Sequence, residues 1–181
     1  MIPEAATRTA MDSHRGPRFH PAMTSPADTA APVTIRQEDP AQPDVIVLLR
    51  NGEAHSAGMY PAESNHHLPL DALRAPDVRF MIARDANGQA LATGAIVLHG
   101  DWAEIKRMWV EDAARGRGLS KQMMAALMTQ ARAAGVRVLR LETGVHSDAA
   151  LALYESTGFQ RRGPFEGYGP DPLSVFMERQ L

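Results

Sequence analysis

Residues 104–134 read EIKRMWVEDAARGRGLSKQMMAALMTQARAA, and this stretch contains three structural patterns in succession. It begins as a strand, predicted to be buried, that ends at Val110, passes through a short acidic turn and a glycine–arginine loop, and finishes as an amphipathic helix. The loop runs from Arg115 to Ser120 and opens the helix directly. Because the first N–H groups of a helix have no intrahelical partner and carry partial positive charge, a loop in this place suits an anionic ligand.

The composition of the loop favours a diphosphate as that ligand. Gly116 and Gly118 lack a Cβ atom, so a ligand can approach the backbone closely. Together with Arg115 and Arg117, the free amide groups form a predicted cradle for pyrophosphate. The alternative is that the two glycines only shape a tight turn before an ordinary helix.

Two other phosphate-binding loops do not match these residues. A dinucleotide-binding fingerprint needs a third glycine where Lys121 stands, and a P-loop needs a lysine where Leu119 stands. A nucleotide-binding domain that uses the two glycines for ATP is therefore a weaker interpretation.

The loop and a second motif resemble one protein family. Arg115, Gly118 and Ser120 follow the strand in the pattern Arg-x-x-Gly-x-small, which resembles the acetyl-CoA loop of the GCN5-related N-acetyltransferases, the GNAT family. The run ALALYESTGF at residues 150–159 resembles the helix end A-x-x-L-Y-x-x-x-G-F of the same family. Two motifs in the right order and spacing make the resemblance specific, and it covers roughly residues 33–181.

The sequence departs from the family pattern at two positions. The family usually has glycine or alanine where Ser120 stands, and often asparagine where Ser147 stands. Serine is small enough to keep the loop open at the first position. The second difference concerns a contact to the pantetheine arm of the cofactor.

The resemblance implies an α/β fold, with a mixed, mostly antiparallel sheet of roughly six to seven strands flanked by helices. It implies an N-acetyltransferase that moves the acetyl group of acetyl-CoA directly to a primary amine of a small molecule or peptide. Acetyl-CoA is then the cosubstrate, and no metal is expected. The alternative function is a non-catalytic acyl-CoA-binding sensor or interaction module.

The resemblance also implies which residues hold acetyl-CoA. The backbone of the strand before the loop is expected to bind pantetheine as though it were a further strand. A backbone N–H of Trp109 or Val110 is expected to stabilise the oxyanion. The predicted cofactor-binding residues are Met108, Trp109, Val110, Arg115, Gly116, Arg117, Gly118, Leu119, Ser120 and Ser147.

Two residues are predicted to be catalytic. Tyr154, one turn before the end of its helix, is expected to protonate the sulfur of departing CoA, and the alternative is a tyrosine packed in the core. Glu104 is expected to be the general base, because its position relative to Arg115 matches the catalytic glutamate of the histone-modifying members of the family. The alternatives are that Glu104 is a surface carboxylate paired with Lys106, or that the base acts through a chain of water molecules. Strict alternation along the strand predicts one shared face for Glu104, Lys106, Met108 and Val110.

The composition bounds the remaining interpretations. At 181 residues the chain fits one N-acetyltransferase domain, residues 33–181, with a disordered tail at residues 1–32 that is rich in Pro, Ala, Ser, Thr and Arg. A net charge of −2 offers no basic field for nucleic acid, and the absence of cysteine excludes thiolate metal sites. No apolar run reaches the ~20 residues of a membrane span, so we expect a cytoplasmic protein. A homodimer through the last strands is also expected.

The rest of the chain predicts the elements around the central stretch. Strands are predicted at residues 33–36, 78–84, 89–98, 102–110, 136–142, 159–162 and 173–179, and helices at 43–50, 117–134 and between 147 and 158.

The acceptor site is the least defined part of the prediction. Residues 51–69 are expected to form a loop that lines it, and His55, His66 and His67 are interpreted as surface histidines of that loop. Glu166 and Asp171 would favour a cationic acceptor if they face the site.

Overall fold

The computed structural model describes residues 32–181. The tail predicted to be disordered, residues 1–32, therefore lies outside the described residues except for Pro32. Within the described part, the chain forms seven strands and three α-helices. The strands are β1 (Thr34–Gln37), β2 (Val78–Arg84), β3 (Ala90–Leu98), β4 (Trp102–Val110), β5 (Val138–Gly144), β6 (Gln160–Arg162) and β7 (Ser174–Gln180), and the helices are α1 (Pro43–Ala57), α2 (Leu119–Ala133) and α3 (Asp148–Ser156).

The strands form one sheet in the order β1-β2-β3-β4-β5-β7-β6. Neighbouring strands are antiparallel except β4 and β5, which are parallel because α2 forms the crossover between them. Helix α1 packs on one face of the sheet, and α2 and α3 pack on the other. The predicted mixed, mostly antiparallel sheet flanked by helices is confirmed. No helix within residues 32–181 is long and apolar enough to cross a membrane.

Helix α1 is longer than predicted, whereas the other elements begin and end within two residues of their predicted bounds. The predicted helix ended at residue 50, but α1 continues to Ala57 and includes His55, which is therefore not a loop histidine. The ring of Trp109 packs against Gly52 of this helix, where a Cβ would lie 3.4 Å from the ring. This tertiary contact outweighs the poor helix propensity of glycine.

A β-bulge interrupts β4. The pairing of β3 with β4 shifts by one residue between Thr93 and Ala95. At the bulge, Arg107 has a φ of +57°, in the left-handed region that residues other than glycine rarely adopt. The hydroxyl of Thr93 donates a hydrogen bond to the carbonyl of Arg107 at 2.9 Å. This bond holds the irregular backbone in place.

The bulge also changes which way the side chains of β4 face. Ile105 before the bulge and Met108 and Val110 after it all pack toward α2. Glu104 and Lys106 alternate with Ile105 and therefore face the other side of the sheet. The prediction that Glu104, Lys106, Met108 and Val110 share one face of the strand is wrong. The bulge adds one residue between Lys106 and Met108, which reverses the alternation after it.

Gly94 lies in β3 opposite the bulge, where a Cβ would come within 2.9 Å of Met108 Sδ and of Met123 Cγ. We expect Gly94→Ala to lower the free energy of unfolding by about 1–3 kcal/mol, because these packed side chains would have to shift. Urea unfolding followed by circular dichroism measures the change. The control is Gly163→Ala, whose Cβ meets nothing within 4 Å, and which should stay within about 0.5 kcal/mol of wild type. Equal stability of the two variants would contradict close packing at the bulge.

Candidate active site

The parallel pairing of β4 and β5 covers four residue pairs and ends at Ile105 and Leu141. Beyond that point, no pairing joins residues 106–110 of β4 to residues 142–144 of β5. On its other side, β5 stays paired with β7 up to Gly144. The two strands therefore separate, and the edge of β4 that faces β5 offers backbone groups without strand partners in the described part of the chain.

A cavity of about 680 Å³ opens where the two strands separate. Its volume falls within the range of small-molecule sites. The loop before α2, the second half of α1 and the α1–β2 connection all contribute to its wall. Arg117 does not line the cavity, but the other nine predicted cofactor-binding residues do: Met108, Trp109, Val110, Arg115, Gly116, Gly118, Leu119, Ser120 and Ser147.

The loop before α2 has the conformation that its glycines suggest. Gly116 and Gly118 have φ values of +77° and +71°, and a Cβ at either position would meet nothing within 4 Å. Gly118 is the N-cap residue of α2, and its carbonyl accepts the N–H of Gln122 at 3.2 Å. The amides of the first helical turn therefore have no partner within the helix and border open space. The two glycines therefore shape a tight turn, and the cradle for pyrophosphate stays a prediction.

Three contacts hold Arg115 at the start of the loop. Its Nε donates to the carbonyl of Val110 at 3.3 Å, and its Nη2 lies 2.8 Å from Oδ1 of Asp112. Its guanidinium carbon is 4.9 Å from the ring centre of Trp109, a cation–π distance. The side chain is 49 % exposed, so a ligand in the cavity can reach it.

Tyr154 on α3 lines the cavity, although it is only 5 % exposed. Its ring packs edge-on against Phe159, with the centroids 5.8 Å apart. Burial raises the pKa of the Tyr154 hydroxyl, and the charge of Glu142 raises it further. The phenol is therefore protonated throughout the neutral range, as a proton donor must be. The side chain is both a packed core residue and part of the cavity wall.

Glu142 also lines the cavity, and sequence reasoning missed it. It follows Leu141, the last residue of β5 that pairs with β4, and its Oε1 accepts a hydrogen bond from Ser174 Oγ at 2.6 Å. Burial raises the pKa of the Glu142 carboxyl, and the hydrogen bond from Ser174 opposes that rise only in part. The signal in the sequence was its place at the carboxyl end of a parallel strand, where ligands bind in open sheets of this kind.

Glu104 is buried, with 8 % exposure, and does not line the cavity. Its Oε1 accepts a hydrogen bond from the Tyr168 hydroxyl and lies 2.8 Å from Nζ of Lys106. Lys106 Nζ also donates to the Tyr168 hydroxyl. The structure thus contains the pair with Lys106, but the carboxylate is buried in this network rather than exposed at the surface.

Basic and imidazole side chains also line the cavity. His55 comes from α1, His66 and His67 come from the α1–β2 connection, and Arg107 comes from the bulge. The carbonyl of His66 accepts a hydrogen bond from Lys106 Nζ at 3.3 Å, which joins this connection to β4. Residues 51–69 therefore contribute to the cavity, partly through a helix, and their role in an acceptor site stays a prediction.

Glu166 and Asp171 do not line the cavity. Glu166 Oε2 lies 3.4 Å from Nη1 of Arg140, and Asp171 Oδ1 accepts the N–H of Leu173 at 2.8 Å. Their positions give no support to the expectation that they select a cationic acceptor.

Tyr60 is a second residue that sequence reasoning missed, and it ties the α1–β2 connection to the start of α3. Its hydroxyl lies 3.0 Å from Ser147 Oγ and accepts the N–H of His146 at 2.9 Å. A Cβ at Gly144 would lie only 2.0 Å from Cζ of the Tyr60 ring, so the ring covers the end of β5. The Ser147 hydroxyl bonds to Tyr60 and does not cap α3. No local pattern in the sequence marks this contact.

Comparisons with known proteins agree with this fold. The acetyltransferase (GNAT) family matches residues 40–159. An IAA acetyltransferase from Azospirillum brasilense is 45% identical over 151 residues, which cover 82% of this chain and 98% of that protein. The uncharacterized N-acetyltransferase YsnE from Bacillus subtilis (strain 168) is 37% identical, over 75% of this chain and 92% of its own length. The crystal structure of a protein assigned as an acyl-CoA N-acyltransferase from Klebsiella pneumoniae subsp. pneumoniae is similar with a TM-score of 0.71 and 37% identity, over 82% of this chain and 97% of that one.

The chain therefore belongs to the GNAT family of acetyltransferases. Within this family it is an acetyl-CoA-dependent N-acetyltransferase, an enzyme that transfers an acetyl group to an amine. The resemblance drawn from two motifs is confirmed, and the alternative of a non-catalytic sensor is not favoured.

The raised pKa of Glu142 predicts a dependence of stability on pH. From about pH 4.3, the ordinary value for glutamate, up to its raised value, the folded protein binds more protons at this group than the unfolded chain. The free energy of unfolding therefore falls as the pH rises through this range. Glu142→Gln removes the effect, so we expect its stability relative to wild type to increase from about pH 4 to about pH 7. Urea unfolding across this range measures it.

The control for this experiment is Glu63→Gln in the exposed α1–β2 connection, because it removes a carboxyl outside the cavity. A stability difference between Glu142→Gln and wild type that stays constant with pH, or that shrinks as the pH rises, would contradict the raised pKa.

Proposed function

We propose that acetyl-CoA binds with its diphosphate on Arg115 and the first-turn amides of α2, and with its pantetheine arm along the open edge of β4. The observation that carries the proposal is the single cavity that extends from the loop at residues 115–120 to Glu142 and Tyr154. A thioester between them would have an anion-binding loop on one side and two proton-transfer groups on the other. The chain has no cysteine to form an acyl-enzyme thioester, which supports direct transfer to a primary amine of a small molecule or peptide.

Transfer requires a neutral amine, because an ammonium group with a pKa of ~10 cannot attack a carbonyl. Glu142 takes that proton in the proposed mechanism. The amine nitrogen then bonds to the thioester carbonyl carbon, the C–S bond breaks, and the sulfur leaves as a thiolate. A backbone N–H of Trp109 or Val110 stabilises the oxyanion, and one such donor is typically worth ~3 kcal/mol.

Tyr154 donates a proton to the departing thiolate in this mechanism. Burial raises the pKa of its hydroxyl, which alone would make it a weaker donor. The same apolar surroundings raise the pKa of a thiol, because burial disfavours the thiolate as much as the phenolate. The difference between the pKa of the Tyr154 phenol and the pKa of the CoA thiol therefore changes less than the raised pKa of Tyr154 alone suggests.

The geometry favours Glu142 over Glu104 as the general base. Glu142 lines the cavity and has a raised pKa, as a base that receives a proton from an amine requires. Glu104 is bound by Lys106 and Tyr168 outside the cavity. We assign Glu104 to positioning Lys106 rather than to contact with the amine.

Amine-dependent release of CoA, measured with a thiol reagent over a panel of primary amines, tests the function. We expect Tyr154→Phe to lower kcat about 100-fold or more with little change in the KM for acetyl-CoA, because general acid catalysis contributes on that order.

Glu142→Gln should abolish the limb of the pH–rate profile on which activity rises with pH. That limb reports deprotonation of the base.

Each assignment has an outcome that contradicts it. A Tyr154→Phe effect confined to the KM for acetyl-CoA would refute the acid role. Loss of the rising limb in Glu104→Gln, but not in Glu142→Gln, would reverse the roles of the two carboxylates. Tight acetyl-CoA binding with no turnover of any amine would indicate the sensor alternative.

Arg115 provides a separate test of the binding mode. We expect Arg115→Ala to weaken acetyl-CoA binding about 10-fold, because it removes a charged hydrogen bond to the diphosphate. Isothermal titration calorimetry measures the affinity. Arg132→Ala is the matched control, since Arg132 is exposed near the opposite end of α2. An affinity for Arg115→Ala equal to that of the control would remove Arg115 from the diphosphate site.

A cytoplasmic location and a homodimer through the last strands stay predictions from the sequence.

A further inference from the structure

One part of the cavity wall presents basic groups to a ligand. We define the basic wall as the cavity-lining residues Lys106, Arg107, His66 and His67. Among the residues that the structure describes, the carboxylates that line the cavity are Glu142 and Asp148. Two members of the wall, His66 and Lys106, lie close enough to Glu142 for their positive charge to act on its carboxyl.

Arg107 is the most unusual member of the basic wall. Its side chain is 5 % exposed, and its Nη2 donates to Glu53 Oε1 at 2.6 Å. Its Nε is buried and has no hydrogen-bond partner within residues 32–181. A buried guanidinium N–H without a partner is unfavourable, and so is the left-handed backbone of this arginine. Two such features at one cavity-lining residue favour a role in ligand binding.

The counterions of the basic wall lie outside the cavity. Glu53 pairs with Arg107, Glu104 pairs with Lys106 at 2.8 Å, and neither carboxylate lines the cavity. The two cations are thus balanced from the side away from the ligand. Arg107 keeps an unpartnered donor, its Nε, which a carboxylate of a ligand can satisfy.

His67 adds a polar group to the wall without adding charge. Burial lowers the pKa of its imidazole, and the nearby charge of Arg107 lowers it further. The ring is therefore neutral at neutral pH and can still form hydrogen bonds.

We propose that the amine acceptor also carries a carboxylate, which binds to Arg107 near the positive charge of Lys106, while its amine faces Glu142. This inference rests on the proposed function. A guanidinium group matches a carboxylate in geometry and charge. A free amino acid, or a compound like one, has both charges that the cavity complements. The amino terminus of a protein fits less well, because its first carboxyl group is a neutral amide.

The test compares acceptors that differ only in the carboxylate, namely free L-amino acids and the carboxamides of the same amino acids. CoA release at saturating acetyl-CoA gives kcat/KM for each acceptor. We expect the wild-type enzyme to prefer the acids about 10-fold or more, because the amide cannot form the charged hydrogen bonds. A carboxylate raises the pKa of the neighbouring amine, so ionisation of the amine alone would favour the carboxamides.

Arg107→Gln should lower kcat/KM for the acids about 10-fold and leave the carboxamides within about threefold, so that the preference collapses. Unchanged affinity for acetyl-CoA shows that this variant is folded. If it does not fold, Arg107→Lys keeps the charge but loses the forked geometry, and it should show an intermediate preference. Arg36→Gln, at an exposed position of β1, is the matched control and should keep the wild-type preference.

The outcomes separate this inference from the function on which it rests. Equal or better use of the carboxamides by the wild-type enzyme would overturn the substrate class but leave acetyl transfer to amines intact. A preference for acids that persists in Arg107→Gln would overturn the assignment of the site. No CoA release with either set, although acetyl-CoA binds, would count against the proposed function itself.

Discussion

The early end of the pairing between β4 and β5 is the constraint on which the site depends. Four residue pairs join the two strands, and the irregular part of β4 begins just beyond them, with the bulge at Arg107. If the ladder continued to Val110, the facing backbone groups would bond to each other and leave no cavity. A bulge bends its strand, and here Thr93 holds the bulged carbonyl from the other side. The irregularity therefore leaves an edge along which an extended ligand can take the place of a strand.

The same bulge distributes the side chains of β4 between the core and the cavity. In a regular strand, Arg107 would face the same side as Ile105, which is buried against α2. A guanidinium group in that apolar cluster would be costly. The left-handed backbone at Arg107 instead lets its side chain reach Glu53 of α1, and Met108 takes the place toward α2. The cost of the strained backbone is offset by the separation of apolar from charged groups.

The sequence predicts the regular elements well because their signals are local. Gly116 and Gly118 adopt left-handed conformations that only glycine takes easily, so the loop and the start of α2 are readable from the residues themselves. The full length of α1 is not readable, because it depends on the ring of Trp109 packing against Gly52 from far along the chain. The bulge, the hydroxyl contacts of Tyr60 and the burial of Glu142 are also non-local. Site residues were therefore predictable where a local motif encodes the backbone conformation. They were not predictable where a side chain depends on residues that are distant in sequence and meet only in the fold.

The proposed base and acid share one buried environment, and this couples their proton affinities. The negative charge of Glu142 raises the pKa of the Tyr154 hydroxyl. When Glu142 accepts the proton of the amine, that charge disappears and the pKa of Tyr154 falls. The phenol then becomes a better donor at the stage at which the CoA thiolate needs a proton. Because the protonation state of one group sets the strength of the other, the same apolar surroundings can serve a base and an acid in a single reaction.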